Sequence, residues 1–269
     1  MVKSGEYPNR KDDDTIINKK EIHIGLSSLL LVEYNNKRTI NIFIGGPEKW
    51  CIHCEIIKGK PVGYLIKVRY DILCSLKHNF AKGKDTKQII NILIQYIYNN
   101  YPTVKELYFN DLSSKRCNNN YDINLAVMTY LYTGKTWYEK NFDAELAPHS
   151  KDSMNTYIKK YDEAKNIDWN EMKYTINSTY PNIEELYIKS KTWKDFFETI
   201  YNNLEIADFC NFLSSWIDSF ILKYFNNLQG LTYSIPIHNK NIKYIENEHN
   251  KKGGKFTRKN TRKVNIDYK

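Results

Sequence analysis

The first third of the chain alternates apolar and polar positions in short runs. Four of these runs are rich in β-branched and aromatic residues, which favours strands: "EIHIGLSSLLLVEY", "RTINIFIG", "KWCIHCEIIKG" and "PVGYLIKVRYDILCSL". The segments "NNKR" and "GGPE" between them have the composition of turns. Because the connections are short, the pattern predicts an antiparallel meander from Glu21 to Leu76.

The period lengthens to that of a helix in the next segment, "KHNFAKGKDTKQIINILIQYIYNNYP". Its apolar residues recur at i, i+3, i+4 and i+7, which predicts an amphipathic helix capped by Asp85 or Thr86. Pro102 disfavours helical geometry before it, so the helix should end there. The segment "VKELYFNDLS" predicts a strand. Strand, helix and strand form a βαβ unit, so two parallel strands are expected.

Helical patterns dominate after Asp122. "DINLAVMTYLYTG" predicts a helix capped by Asp122 and ending near Gly134, and "KTWYEKNF" predicts a short helix or turn. Between residues 150 and 228, aromatic residues recur at helical spacing, as in helices that pack through an aromatic core. A short extended piece, "LTYSIPI", follows.

The predicted fold is α+β, with a mixed, mostly antiparallel sheet, flanking helices, a helical C-terminal half and a disordered basic tail. The predicted divisions are a mobile leader over residues 1–20, an α/β domain over 21–148, a helical region over 149–238 and a flexible basic tail over 239–269.

The formal charge of the 269 residues is +9, but the excess of Ile, Tyr, Asn and Lys is typical of an AT-rich coding sequence. The distribution of charge is therefore more informative than its sum. Residues 251–269 hold eight Lys and Arg against one Asp, which is typical of a flexible arm that neutralises phosphates. The alternative is a solubilising terminus. The candidate residues for binding nucleic acid or an acidic partner are Lys255, Arg258, Lys259, Arg262 and Lys263.

Cysteine usage indicates a reducing compartment. Five cysteines are an odd number without the spacing of a disulfide framework. Cys51 and Cys54 supply half of a zinc site at most, and alternation on a strand places them on opposite faces, so no metal site is predicted. No apolar run approaches the roughly 20 residues of a membrane span, and no signal peptide is recognised at the N-terminus.

The loop before the predicted Ile-rich helix is a candidate anion site. Free backbone amides and the helix dipole attract anions at a helix N-terminus, and Lys82, Lys84 and Lys87 add positive charge. The match to the phosphate-binding P-loop fails, because no Gly-Lys-Ser/Thr triplet follows. A lysine-rich turn capped by Asp85 is the alternative.

The order of elements together with "WYEKNFDA" resembles the GCN5-related N-acetyltransferases (GNAT), whose corresponding segment is "lYEKlGF". The resemblance covers residues 22–146. It implies that acetyl-coenzyme A binds through its pyrophosphate to Lys82, Gly83, Lys84, Asp85 and Thr86, and that Tyr138 protonates the departing thiolate. It also implies that two central strands separate to admit the pantetheine arm. Phe80 and Asp85 differ from the residues that the family carries there.

A second resemblance links "NDLSSKRCNNNYDINLAVMTYLYTGKTWYEKNFDA" and the glycine-containing basic tail to uncharacterised proteins of large cytoplasmic DNA viruses. It implies a location in the host cytoplasm or the virion, without secretion. Two functions are therefore expected. One is a GNAT-like acyl-CoA-dependent N-acyltransferase or a degenerate descendant of one. The other is a non-catalytic virion or scaffold protein that uses its basic tail.

Overall fold

The computed structural model describes residues 15–24, 27–46, 49–68, 84–118, 121–175, 180, 182–225, 228, 230–240 and 245–248. Within them the chain forms eleven strands and nine α-helices. It divides into two compact units, residues 1–109 with 235–269 and residues 110–234. The predicted α+β class and the mixed, mostly antiparallel sheet are confirmed.

The first unit is built on a meander of five strands, each antiparallel to the next along the chain. The strands are β1 (Thr15–Ile24), β2 (Ser27–Asn35), β3 (Thr39–Gly45), β4 (Trp50–Ile57) and β5 (Val62–Val68). The predicted meander is thus confirmed, but the run predicted as one strand from Glu21 is two strands. Because β1 begins at Thr15, residues 15–20 belong to the sheet rather than to a mobile leader.

A strand from the C-terminal part of the chain adds to the β1 edge of this meander. β11 (Ile245–Glu248) pairs antiparallel with β1, from Lys20↔Glu248 to His23↔Ile245. Residues 245–248 therefore leave the predicted flexible tail and join the sheet.

β5, α1 (Lys84–Asn100) and β6 (Glu106–Asn110) form the predicted crossover. β5 and β6 are parallel, as expected, and pair from Val62↔Glu106 to Tyr64↔Tyr108. The strands approach so closely that a Cβ on Gly63 would lie 2.8 Å from Leu107 Cδ2. A methyl group at this position would therefore force the Leu107 side chain to shift.

Both faces of β2 are covered by buried side chains. Alternation places Leu29, Leu31 and Glu33 on one face, and all three are buried. Glu33 is 3% exposed and accepts a hydrogen bond of 2.6 Å from the Tyr101 hydroxyl. On the opposite face, a second cluster packs together: Leu30, Val32, Tyr34 and Phe43, with Trp50 against them.

The second unit contains the remaining described helices. They are α2 (Leu125–Thr133), α3 (Trp137–Phe142), α4 (Lys151–Asp162), α5 (Trp169–Thr175), α6 (Ile183–Lys189), α7 (Trp193–Asn203), α8 (Ile206–Trp216) and α9 (Leu222–Tyr224). A π-helical segment, Ile217–Ile221, joins α8 to α9. β7 (Ser114–Arg116) and β8 (Asp122–Asn124) form a hairpin, and β9 (Glu145–Leu146) pairs with β10 (Thr232–Pro236).

The ends of α2 and α3 follow local capping chemistry. Asn124, rather than the predicted Asp122, caps α2 by accepting a 3.0 Å hydrogen bond from the Val127 amide, because residues 122–124 pair with β7. Gly134 ends α2 with a φ of 66°, as predicted. Thr136 and Glu139 form a capping box at the start of α3.

The aromatic stripes form the core of the second unit, which confirms their predicted packing role. Trp193 and Trp216 are fully buried, and the Phe196 ring lies 5.3 Å from that of Trp216. Trp193 also contacts Phe220, with ring centroids 4.7 Å apart. These helices are therefore held together by edge and tilted ring contacts.

The prediction of unpaired cysteines is wrong. Cys117 and Cys210 form a disulfide, and Cys51 is also disulfide-bonded. Among the described cysteines, Cys54 is free and buried. The error arose because the two paired residues stand 93 positions apart, so their pairing leaves no local spacing signal.

The boundary between units also differs from the predicted division at residues 148 and 149. α2, α3 and β9 belong with the helical region, in the unit that begins at Asn110. α2 contacts α7, and Tyr161 of α4 donates a 2.9 Å hydrogen bond to the Leu131 carbonyl. These contacts between distant segments could not be read from local patterns.

Candidate functional site

The predicted pyrophosphate loop is described only in part. Lys82 and Gly83 lie outside the described residues, whereas Lys84, Asp85 and Thr86 form the first turn of α1. The side chains of Lys84 and Asp85 also fall outside the description, and Thr86 is half-buried. The first amides of a helix have no acceptor within it, so the amides of this turn have no partner in α1 itself.

Pairing between β5 and β6 is limited to three residues of each strand. The parallel ladder ends at Tyr64↔Tyr108, although β5 continues to Val68 and β6 to Asn110. At the same place the register between β4 and β5 shifts, because His53 pairs with Lys67 while Cys54 pairs with Leu65. Ile66 is therefore an extra residue in β5, and it is 55% exposed. Such a bulge bends its strand locally.

Tyr138, the predicted general acid, lies in α3 and is only 5% exposed. Its ring packs against Trp137 at 4.9 Å, Phe142 at 6.1 Å and Tyr233 at 6.3 Å between centroids. Burial raises the pKa of Tyr138, and the neighbouring Asp111 raises it further. The phenol is therefore neutral at physiological pH and reaches a substrate only if the surrounding side chains move.

Asp111 is the titratable residue in this cluster that the sequence analysis missed. It is 0% exposed and directly follows β6. Its Oδ1 accepts hydrogen bonds from the amide of Ser113, at 2.9 Å, and from the Ser113 hydroxyl. Its Oδ2 is buried without a hydrogen-bond partner. Burial raises the pKa of Asp111, and the two bonds from Ser113 oppose that increase.

The backbone around Asp111 is held by a second segment of the same unit. The Asp111 amide donates to the Leu231 carbonyl at 2.9 Å, and the Gly230 amide donates to the Asp111 carbonyl at 2.8 Å. Gly230 has a φ of 80°, which favours glycine. Asp111 is therefore a fixed part of the scaffold.

Tyr233 completes the cluster from β10. It is fully buried, and burial raises its pKa, while the Thr136 hydroxyl opposes the increase. Two phenols and one carboxyl thus share an interior environment in which their neutral forms are favoured. Such an arrangement can hold protons on its phenols. A carboxylate at the carboxyl end of a parallel strand was the sequence signal that could have pointed to Asp111.

Among the residues that the structure describes, no group of three or more His, Cys, Asp or Glu side chains is arranged to hold a metal ion. The predicted tail residues Lys255, Arg258, Lys259, Arg262 and Lys263 lie outside the described residues.

Comparison with known proteins returned no relative. No protein-family model, no curated protein and no solved structure matches the chain. Across the described part of the chain, none of the helices combines the length and the apolar character that crossing a membrane requires.

Proposed function

We propose that the chain is a GNAT-like acyl-CoA-binding protein, either an N-acyltransferase or a degenerate descendant of one. The observation that carries this proposal is the short parallel ladder between β5 and β6, which ends at Tyr64↔Tyr108 and is followed by the bulge at Ile66. Ligands of open sheets bind beyond the carboxyl ends of parallel strands. In the proposal, the backbone groups of β5 and β6 beyond the last shared pair, Tyr64↔Tyr108, bind a pantetheine arm.

The position of α1 supports the same ligand. Lys84, Asp85 and Thr86 lie in its first turn, where amides lack helical acceptors and the dipole favours an anion. In the proposal the pyrophosphate binds at this turn together with Lys82 and Gly83. In this arrangement the first turn of α1 donates hydrogen bonds to the pyrophosphate. The ends of β5 and β6 orient the pantetheine arm.

The burial of Tyr138 favours the degenerate form of the proposal. The Tyr138 side chain is 5% exposed and packs against three aromatic rings, which is the environment of a structural core residue. In an active enzyme its neutral hydroxyl would protonate the leaving thiolate, and its raised pKa makes it a weaker donor for that step. Removal of the hydroxyl therefore distinguishes the two forms.

Calorimetric titration of acetyl-CoA into the full chain tests the proposal. We expect saturable binding below about 1 mM, equivalent to about 4 kcal/mol, that weakens when Lys82 and Lys84 are replaced by Gln. The matched control replaces the exposed Lys151 and Lys159 by Gln. Titration with ATP separates a coenzyme A site from a general anion site. A flat acetyl-CoA isotherm, or equal affinity for ATP, contradicts the proposal.

A thiol-release assay with amine acceptors then separates enzyme from descendant. An active transferase releases coenzyme A and is slowed about 100-fold or more by Tyr138→Phe, the usual contribution of a positioned proton donor. The descendant binds acetyl-CoA without releasing the thiol, and Tyr138→Phe leaves its affinity unchanged.

The second candidate is a non-catalytic virion or scaffold protein whose basic tail binds nucleic acid or an acidic partner. The burial of Tyr138 is the observation that favours it over catalysis. Replacing Lys255, Arg258, Lys259, Arg262 and Lys263 by Gln should abolish salt-sensitive DNA binding if the tail carries it. Unchanged binding rejects this role for the tail.

A further inference from the structure

A row of basic residues lies along one end of the sheet in the first unit. Four segments meet there: the β2–β3 turn at 36–38, the β4–β5 turn at 58–61, the segment 102–105 before β6, and residues 237–240 after β10. We call these four segments the basic rim. They carry six cations and no carboxylate: Lys37, Arg38, Lys58, Lys60, Lys105 and Lys240.

Backbone hydrogen bonds join the four segments into one edge. The Lys58 amide donates to the Arg38 carbonyl at 3.0 Å, and the Lys105 amide donates to the Pro61 carbonyl at 2.7 Å. The Ile237 amide in turn donates to the Lys105 carbonyl at 2.7 Å. The rim is therefore a continuous structural feature, in which the cations keep fixed positions along the sheet.

The first turn of the rim is further stiffened by side chains. Asn36 Oδ1 accepts hydrogen bonds from the amides of Arg38, at 3.0 Å, and Thr39, at 2.7 Å. The Lys58 ammonium donates to the Asn36 carbonyl at 2.5 Å. A turn held in this way loses little conformational entropy when it binds a ligand.

The chemistry and length of the rim fit a nucleic acid backbone. Four strand spacings of about 4.8 Å separate its ends, so the cations extend over about 20 Å. That length matches about six phosphates of one B-form strand at 3.4 Å each.

A membrane surface fits the rim less well. Proteins that bind a bilayer surface usually insert apolar side chains between the lipids. The large aliphatic residues of the four segments are Val104, which is 2% exposed, and Ile237, which is half-buried. The rim therefore offers charge without an apolar anchor.

We propose that the basic rim is a nucleic-acid-binding surface that contacts the phosphate backbone without reading sequence. This function is independent of acyl-CoA binding, and it resides in the folded first unit rather than in the tail. The rim and the tail of residues 251–269 can be tested separately, since they share no residue.

Fluorescence anisotropy of labelled 20-nucleotide single-stranded and duplex DNA of mixed sequence, over a series of salt concentrations, tests the proposal. The rim variant combines Arg38→Gln, Lys60→Gln and Lys105→Gln in the full chain. Loss of three phosphate contacts should lower affinity about 10-fold or more at low salt and reduce the salt slope by about 2 to 3. Lys58 is left unchanged because it bonds to the β2–β3 turn.

Two variants serve as controls. Lys151→Gln, Lys159→Gln and Lys194→Gln remove the same charge from exposed helical positions of the second unit. Replacing the five tail residues by Gln measures the share that the tail contributes. If the triple rim variant melts early, Lys60→Gln and Lys60→Arg give the same comparison at one exposed site, and only the Gln variant should weaken binding.

The proposal is supported if the rim variant loses affinity while the helical control binds DNA as the unaltered chain does. Equal losses in the rim variant and the helical control, or no loss in the rim variant, overturn it. Rim-dependent binding to vesicles of anionic phospholipid without binding to DNA overturns it as well.

Discussion

The sulfur atoms of Cys117 and Cys210 join the β7–β8 hairpin to helix α8 across 93 residues of chain. Two hydrogen bonds reinforce this junction. The Asn118 amide donates to Asn211 Oδ1 at 3.0 Å, and the Tyr121 hydroxyl donates to Asp218. The hairpin is thus fixed to the helical core at three points, although none of its strands exceeds three residues.

We expect the disulfide to contribute much of the stability of the second unit. Crosslinking a loop of this length destabilises the unfolded chain by about 4.6 kcal/mol in the chain-entropy account. Replacing Cys117 and Cys210 by Ser should lower the free energy of unfolding by about 3 to 5 kcal/mol, as measured by urea denaturation. Cys54→Ser, at the free cysteine, is the comparison that leaves the crosslink intact. Equal stability of the double variant and the unaltered chain contradicts the expectation.

The buried carboxyl of Asp111 should make stability depend on pH. Its pKa is raised above the ordinary 3.8, so the folded state holds its proton to a higher pH than the unfolded state does. The associated stability is fully present below 3.8 and is lost as pH rises through the folded pKa. Asp111→Asn should remove this loss and gain about 1 kcal/mol or more at pH 8 in urea denaturation. If the stability of Asp111→Asn depends on pH as that of the unaltered chain does, this assignment to Asp111 is wrong.

His53 should give the opposite dependence in the first unit. Its ring stacks on Phe43 at 4.3 Å and bonds to Asn41 at 2.9 Å. Burial, with Lys67 nearby, lowers the pKa of His53 from 6.5 to about 4. The unfolded chain therefore takes up the proton first, and stability is present above pH 6.5 and lost as pH falls towards 4.

His53→Gln keeps a donor for Asn41 but does not titrate. We expect His53→Gln to flatten the stability profile between pH 4 and 6.5 by about 1 to 2 kcal/mol. Solvent screening of the partly exposed ring keeps the effect in this modest range. Thermal melting of Asp111→Asn and His53→Gln over pH 4 to 8 separates the two residues, since their effects have opposite signs. A slope that persists in His53→Gln assigns the effect elsewhere.

A side chain at position 63, where β5 packs against β6, should lower the stability of the protein. A Cβ on Gly63 would meet Leu107 Cδ2 at 2.8 Å and the Glu55 carbonyl at 3.2 Å. Gly63→Ala should therefore cost about 1 to 3 kcal/mol of stability through overpacking. Adding Leu107→Val should recover part of it, which thermal melting of the single and double variants can measure.

Gly59 offers a contrast in the same unit. A Cβ there would meet nothing within 4 Å, but its φ is 73°. Gly59→Ala should cost about 1 kcal/mol through backbone strain, and Leu107→Val should leave that cost unchanged. Recovery of Gly59→Ala by Leu107→Val would contradict the steric account of Gly63.

The elements that local pattern controls could be predicted. The meander, α1 and the parallel crossover follow from alternation, helical periodicity and connection length, and Gly134 ends α2 as its backbone freedom favours. Boundaries failed where pairing partners were distant. Thr15 joins a strand because β2 pairs with it, and Asn124 replaces Asp122 as a cap because β7 takes up Asp122.

The candidate site was harder to predict than the fold. Capping and aromatic spacing placed Tyr138 correctly in a short helix, but its burial depends on Tyr233, which is 95 positions later in the chain. Asp111 had no motif of its own and becomes notable only because the fold removes it from water. The Cys117–Cys210 pairing is likewise a product of tertiary packing.

The positions of the tryptophans make intrinsic fluorescence a selective probe of unfolding in the second unit. Four of the five indoles, at positions 137, 169, 193 and 216, belong to the second unit, and only Trp50 belongs to the first. Emission excited at wavelengths selective for indole will therefore follow mainly the helical unit, while far-ultraviolet dichroism follows both. Non-coincident denaturation curves from the two signals would reveal that the units melt in separate steps.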